Sequence, residues 1–130
     1  MKLLLDTHIW LWSLLDPSRL SPRVDRALRD PSNELWLSPI SVWEALLLEK
    51  RSRIELDGPP EAWIEDALRA APMREAPITW DIARRSVGLE LPQRDPADRF
   101  LAATAVALDL TLVTADRRLI GHEAFRALAN

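Results

Sequence analysis

The sequence contains no cysteine and only three glycines among its 130 residues. The lack of cysteine excludes disulfides, zinc–thiolate sites and cysteine nucleophiles, and it is consistent with a reducing compartment. With so few glycines the chain has neither a P-loop nor a dinucleotide-binding loop, and it also lacks the G-x-S-x-G elbow of serine hydrolases. The two histidines, His8 and His122, show no metal-ligand pairing. These absences leave acidic side chains as the main candidates for chemistry.

Long apolar runs are also missing. No run approaches the length of a membrane span. The apolar start of the chain contains Asp6 and His8 and lacks a small-residue cleavage site, so we do not expect a signal peptide. Hydrophobic residues make up 48% of the chain, which is enough for a substantial core. We therefore expect one cytoplasmic domain that spans residues 1–130.

Strand-like and helix-like segments alternate along the chain. We predict strands at residues 2–6, 34–38, 76–78 and 111–114, and helices at residues 7–15, 22–29, 41–51, 61–70, 79–87 and 95–108. The tail from residue 122 has helical propensity, but a last edge strand there stays open. This alternation predicts an α/β fold, with a parallel sheet covered by helices on both faces.

Four acidic residues stand where a strand-like run passes into a helix-like run: Asp6, Glu44, Asp98 and Asp116. In a parallel α/β sheet such positions gather at one edge, where ligands bind. Carboxylates gathered there repel each other, and a hard divalent cation such as Mg²⁺ or Mn²⁺ relieves that repulsion. The pattern therefore predicts a metal site that serves phosphoryl chemistry.

Each acid also has a structural explanation. Glu44 lies three residues after Ser41, which is the spacing of a capping box. Asp98 could complement a helix dipole, and Asp116 could cap the turn that follows it. Asp6 is harder to explain in this way, because it ends an apolar strand and a buried acid needs partners. The joint placement of all four is what favours a shared site.

Charge limits the ways in which the chain could bind nucleic acid. A net charge of −3, from 17 basic and 20 acidic residues, argues against binding by passive electrostatics alone. Metals that neutralise the four acids would remove much of that obstacle. Arg94, Arg99 and Arg117 are candidate substrate contacts, although ordinary solvated surface charge also explains them. Asp95, which precedes a proline, is read as a helix cap.

Four segments in combination resemble the PIN-domain ribonucleases, and among them the VapC toxins of bacterial toxin–antitoxin pairs. These segments are LLLDTHIWLW, SPISVWEALLLEK, RDPADRFLAATA and TLVTADRRL, and the resemblance covers residues 2 to about 120. It implies a three-layer α/β/α sandwich with a central parallel sheet. It also implies a Mg²⁺- or Mn²⁺-dependent endoribonuclease that leaves 5′-phosphate and 3′-hydroxyl ends.

The resemblance carries over to individual positions. The four acids Asp6, Glu44, Asp98 and Asp116 match the family's acidic positions. Asp95 matches an extra acid, and Thr114 matches a hydroxyl residue before the fourth acid. The tail departs from the family, since it shows no clear edge strand.

The family further implies a homodimer and a cognate antitoxin that blocks the site. Trp10, Trp12 and Trp43 give this some support, because aromatic anchors suit protein interfaces. Two other functions stay open: a binding module that keeps the fold without cleavage, and a metal-dependent nuclease or phosphatase that acts on another substrate.

Overall fold

The computed structural model describes residues 1–92 and 94–130. Its strands are β1 (Lys2–Leu5), β2 (Glu34–Leu37), β3 (Arg74–Glu75), β4 (Thr111–Thr114) and β5 (Arg126–Ala129). Its helices are α1 (Thr7–Leu15), α2 (Pro22–Arg29), α3 (Pro39–Lys50), α4 (Pro60–Ala70), α5 (Trp80–Gly88) and α6 (Pro96–Leu108). Short 3₁₀ turns occupy Pro17–Arg19 and Arg117–Leu119. The predicted alternation of strands and helices is confirmed.

The strands form one parallel sheet in the order β3-β2-β1-β4-β5. The chain builds the sheet outward from β1 in one direction with β2 and β3, and in the other with β4 and β5. The direction therefore reverses between β1 and β4, and parallel α/β sheets bind ligands beyond the carboxyl ends of the strands at such a point. The Asp6 N–H donates to the Val113 carbonyl at 3.0 Å, which continues the pairing up to that edge.

Apolar side chains cover both faces of the sheet. Leu3, Leu5 and Val113 pack with helices α1 to α4 on one face. Leu4 and Leu112 point to the other face and pack with α6. Successive strand residues face opposite ways, so the central strands β1 and β4 are buried at consecutive positions. The predicted three-layer α/β/α sandwich is confirmed.

Prolines fix the start of several helices. Asp95 caps α6 as expected, because its carboxylate accepts the Ala97 N–H at 3.0 Å. The predicted start of α3 was wrong, since the helix begins at Pro39 and its cap is Ser38, whose hydroxyl accepts the Ile40 N–H at 3.1 Å. A proline suits the first helical position, where no N–H is needed. Glu44 therefore does not belong to a capping box.

One edge strand differs from the expectation, and the other settles a question that the sequence left open. The strand predicted at residues 76–78 lies at Arg74–Glu75, because Pro77 has no N–H with which to extend the ladder. The tail forms β5 in parallel with β4 rather than a helix. Asn130 fastens this tail, since its side chain accepts the Ser21 N–H at 2.7 Å and donates to the Arg19 carbonyl at 3.0 Å.

Within the residues that the structure describes, no helix combines the length and the apolar character needed to span a membrane.

Candidate active site

A cavity of about 400 Å³ opens at the carboxyl edge of the sheet, beyond the ends of β1 and β4. Its described lining consists of Asp6, His8, Trp12, Glu44, Asp95, Asp98, Ala115, Asp116 and Arg118. The structure thus brings together all four acids that the sequence singled out, and Asp95 with them. The five carboxylates face one arginine and one histidine, so the cavity is strongly negative.

Asp6 is the deepest of these acids. It is 8% exposed, and Thr114, which is fully buried, donates its hydroxyl proton to Asp6 Oδ2 at 2.7 Å. The same hydroxyl oxygen accepts the Asp116 N–H at 3.0 Å. Burial raises the pKa of Asp6, and the Thr114 hydrogen bond opposes that rise. Thr114 thus orients one acid through its side chain and a second through its backbone.

Glu44 is held by the first residue of α1. The Thr7 hydroxyl donates to Glu44 Oε1, and Thr7 Oγ1 lies 2.9 Å from Ser41 Oγ. The Thr7 hydroxyl has a single proton, and this proton is used in the hydrogen bond to Glu44. In the contact between Thr7 and Ser41, the Ser41 hydroxyl is therefore the donor. Burial raises the pKa of Glu44, and the Thr7 hydrogen bond opposes the rise. A chain of two buried hydroxyls therefore fixes the position of this acid.

Asp98 lies in the first turn of α6 and is half-buried. Burial, followed by the negative charges of Asp6, Asp95, Glu44 and Asp116, raises the pKa of Asp98 to about 7. No residue that the structure describes donates a hydrogen bond to its carboxylate. Asp98 is therefore the acid whose charge is least compensated by the protein itself, and a bound cation would compensate it.

Asp116 has a cationic partner in the structure. Arg118 Nε lies 3.1 Å from Asp116 Oδ1, and Arg118 Nη2 lies 2.9 Å from Asp116 Oδ2. The Arg118 backbone N–H also donates to Asp116 Oδ1 at 3.0 Å, which caps the 3₁₀ turn as the sequence suggested. Both carboxylate oxygens are thus engaged by one guanidinium.

The three arginines proposed from the sequence do not line the cavity. Arg99 donates instead to the carbonyls of Ser86 at 2.9 Å, Val87 at 3.3 Å and Leu89, which ties α6 to the end of α5. A helix end leaves such carbonyls without partners in the helix, so the guanidinium is directed to the end of α5 and not into the cavity. Arg94 and Arg117 are exposed outside the cavity lining.

Sequence reasoning missed three contributors to the site, namely Thr7, Ser41 and Arg118. Thr7 follows Asp6 directly and is a polar residue at the start of an apolar helix, which was an available signal. Arg118 had no such signal, because its neighbour Arg117 has the same charge and only the geometry of the turn separates them.

The donor set fits a hard divalent cation by type, because carboxylate oxygens are the ligands that Mg²⁺ and Mn²⁺ take. The side chains are not gathered closely as they stand. Among the residues that the structure describes, no group of three His, Asp or Glu side chains is arranged to hold a metal ion. Thr7 engages one oxygen of Glu44 and leaves the other open, whereas Arg118 engages both oxygens of Asp116 and so competes with metal ligation there.

Comparison with known proteins agrees with this geometry. Residues 3–123 match the PIN domain family. The chain is 37% identical over 120 residues to ribonuclease VapC22 of Mycobacterium tuberculosis. The aligned region covers 92% of this chain and 90% of that protein.

Solved structures share the fold across nearly the whole chain. A toxin–antitoxin complex from Klebsiella pneumoniae aligns with a TM-score of 0.66 and 25% identity, over 97% of this chain and 95% of that one. DNA-bound VapBC from Salmonella typhimurium aligns with a TM-score of 0.69 and 16% identity, over 99% and 98% of the two chains. The family match over residues 3–123 and the ribonuclease relative lead to one conclusion: this chain belongs to the PIN-domain family.

Proposed function

We propose that this protein is a metal-dependent endoribonuclease and the toxin of a toxin–antitoxin pair. One observation carries the proposal: five carboxylates share a single cavity at the point where the strand order reverses. Their mutual repulsion helps to raise the pKa of Asp98 to about 7. A purely structural role gives no reason to hold so many like charges together. The ribonuclease relative at 37% identity supports the choice of RNA as substrate.

We assign Mg²⁺ or Mn²⁺ to Asp6, Glu44, Asp98 and Asp116. When bound, such ions supply an activated water and stabilise the charge on the leaving oxygen. Asp6 is the most deeply buried of the proposed ligands, and the Thr114 hydroxyl fixes its orientation at the end of β1. Asp95 supports the site from the cap of α6, where it adds negative charge without turning away from its own helix.

The protein's own groups prepare the site for hydrolysis. The Thr7 hydroxyl leaves one oxygen of Glu44 directed by the protein and the other available to a cation or a water molecule. Asp98, with its pKa raised to about 7, is partly protonated near neutral pH, and a bound cation would favour its ionised form. The N-terminus of α6, whose first turn carries Asp98, favours a phosphate once the acids have been neutralised.

We also propose a cognate antitoxin, which the toxin–antitoxin complex among the structural relatives supports. A basic side chain from the antitoxin would complement the acidic cavity. Trp12 lines that cavity and Trp43, beside Glu44, is 54% exposed, so both are available to a partner. Trp10 is not, because it is buried in the core.

A homodimer completes the proposal. Helix α5 exposes Trp80 at 89% and Val87 at 81%. They are seven residues apart and so lie on one side of the helix. Exposed apolar side chains of this size mark interaction surfaces.

We place the toxin in the cytoplasm, where RNA and a cognate antitoxin are both found.

A binding module without cleavage is the second candidate. It is favoured by the finding that no three described His, Asp or Glu side chains are arranged to hold a metal ion. A module of this kind would bind RNA or antitoxin equally well with and without divalent cations.

RNA cleavage tests the proposal. The chain is incubated with total RNA in Mn²⁺, in Mg²⁺ and in EDTA, and Asp98→Asn is compared with Asp57→Asn, which removes an exposed acid outside the cavity. We expect cleavage only with a divalent cation, a loss of at least about 100-fold in Asp98→Asn, and no loss in Asp57→Asn. Cleavage by Asp98→Asn at the rate of the unmodified protein would overturn the assignment.

A further inference from the structure

Arg118 occupies an unusual place in the acidic cavity. It is the single arginine among the described residues that line it, and both of its terminal contacts go to one carboxylate, Asp116. The Arg118 side chain is 61% exposed, whereas that of Asp116 is 22% exposed. The guanidinium is therefore the more solvent-exposed partner of an ion pair in which the acid is largely shielded.

This contact competes with metal binding. A guanidinium that spans Oδ1 and Oδ2 of Asp116 uses the oxygens that a divalent cation needs. Ion pairs that are exposed on one side add little to stability, so a cation displaces Arg118 at small cost. The ion pair with Asp116 is thus a weak contact that Arg118 can leave, and the fold does not depend on it.

A displaced Arg118 has one kind of partner left. The other anions near it, Asp95 and Asp98, belong to the same acidic group and lose their negative field once cations bind. The phosphate of an RNA strand at the cavity then becomes the accessible anion. Phosphate presents two oxygens to a guanidinium in much the same geometry as a carboxylate.

We propose that Arg118 is a phosphate-binding residue that rests on Asp116 in the free protein and moves to the RNA backbone when a divalent cation takes that carboxylate. The inference rests on the proposed function for its substrate. The competition between Arg118 and a cation for Asp116 follows from the geometry of the ion pair alone. A measurement of Mn²⁺ affinity therefore tests that part of the inference without RNA.

Arg117 offers a matched control. It lies next to Arg118 on the same turn and is exposed, but it makes no ion pair with any residue that the structure describes. Arg117→Gln removes the same charge from the neighbouring position of the same turn. It therefore measures the general electrostatic gain in cation affinity, and any further gain in Arg118→Gln reports the direct contact.

The first measurement is calorimetric titration of Mn²⁺ into the unmodified chain, Arg118→Gln, Arg118→Lys and Arg117→Gln. We expect Arg118→Gln to bind Mn²⁺ about two- to fivefold more tightly than Arg117→Gln. Arg118→Lys should fall between, since an ammonium cannot span both oxygens. It also provides the test if Arg118→Gln fails to fold. Equal affinities in Arg118→Gln and Arg117→Gln would show an ordinary surface ion pair and overturn the inference.

The second measurement is binding of a labelled single-stranded RNA of about 20 nucleotides and mixed sequence, longer than the usual site of one domain. Ca²⁺ replaces Mn²⁺ because it takes the same oxygen ligands, and a gel checks that the RNA stays intact. We expect Arg118→Gln to weaken binding at least fivefold and to lower the slope of log affinity against log salt by about 0.7. Unchanged RNA affinity with tightened Mn²⁺ binding would overturn the phosphate-binding role. Absence of metal-dependent cleavage in the unmodified chain would instead count against the proposed function.

Discussion

Thr114 joins the carboxyl ends of β1 and β4 through its contact with Asp6: the hydroxyl at the end of one strand donates at 2.7 Å to the acid that follows the other. Both side chains are buried. This contact joins the two strands between which the strand order reverses, so it fixes the deepest acid of the cavity to the central sheet. It also couples two residues that are far apart in the sequence.

Replacing Thr114 by valine should weaken both the fold and the site. Valine keeps the shape but removes both the hydrogen bond to Asp6 and the bond that accepts the Asp116 N–H, which should cost about 2 kcal/mol in the free energy of unfolding. Thr111→Val on the same strand is the control, because the Thr111 hydroxyl makes no hydrogen bond with the described residues. Urea unfolding measures both variants. Equal stability of the two would contradict the role given to Thr114.

Thr7 should affect the pH dependence of cleavage through Glu44. Its hydrogen bond stabilises the ionised carboxylate, so Thr7→Val should raise the pKa of Glu44 further. The acid limb of the cleavage profile should then move to higher pH, and Thr7→Ser should restore it. A profile that does not move, in a variant that is folded, would show that Glu44 acts without help from Thr7.

Asp98 should make the metal-free protein less stable as the pH rises. Its pKa is raised from 3.8 to about 7 in the folded state, so the folded chain binds more protons than the unfolded chain between these values. The free energy of unfolding therefore falls with rising pH across that window. Asp98→Asn removes the penalty and should be about 1–2 kcal/mol more stable at pH 8 in EDTA, after allowance for partial exposure.

The control for this experiment is the same comparison near pH 4, where Asp98 is protonated in the folded protein and the two chains should be equally stable. Urea titrations at both pH values supply the measurement. A variant that is less stable at pH 8 would indicate that Asp98 instead stabilises the N-terminus of α6 through the helix dipole.

Trp80 should be central to dimer formation. Its indole is 89% exposed on α5, and Trp80→Lys should raise the dimer dissociation constant about 30-fold, as expected for a hot-spot residue that contributes about 2 kcal/mol. Leu68→Lys, on the exposed face of α4, is the control. Analytical ultracentrifugation gives both constants. A dimer that tolerates lysine at position 80 would exclude this face.

The positions of the acids could be predicted because they depend on chain order. Asp6 and Asp116 follow adjacent parallel strands and Asp98 opens a helix, so any right-handed α/β fold brings them to one edge. For α3 the local signal was present, but the predicted cap was the wrong serine. Ser38 and Ser41 both have the chemistry of a cap, and the proline after Ser38 decides between them. The same serine–proline rule had located the start of α2 correctly.

Other features depend on tertiary contacts that have no local signal. Residues 126–129 have helical propensity, yet they pair with β4 because its edge offers unpaired backbone groups. Arg99 turns to the carbonyls at the end of α5, whereas Arg118 turns to Asp116. Sequence gives both arginines the same charge, and only packing decides which of them meets an acid.

The central claim is that the acidic cavity holds divalent cations, and anomalous diffraction from a crystal soaked in Mn²⁺ tests it most directly. The account predicts a manganese peak within about 2.0–2.3 Å of carboxylate oxygens of Asp6 and Asp98, and loss of that peak in Asp98→Asn crystals soaked in the same way. An empty cavity in the unmodified protein, or an identical peak in the variant, would contradict it.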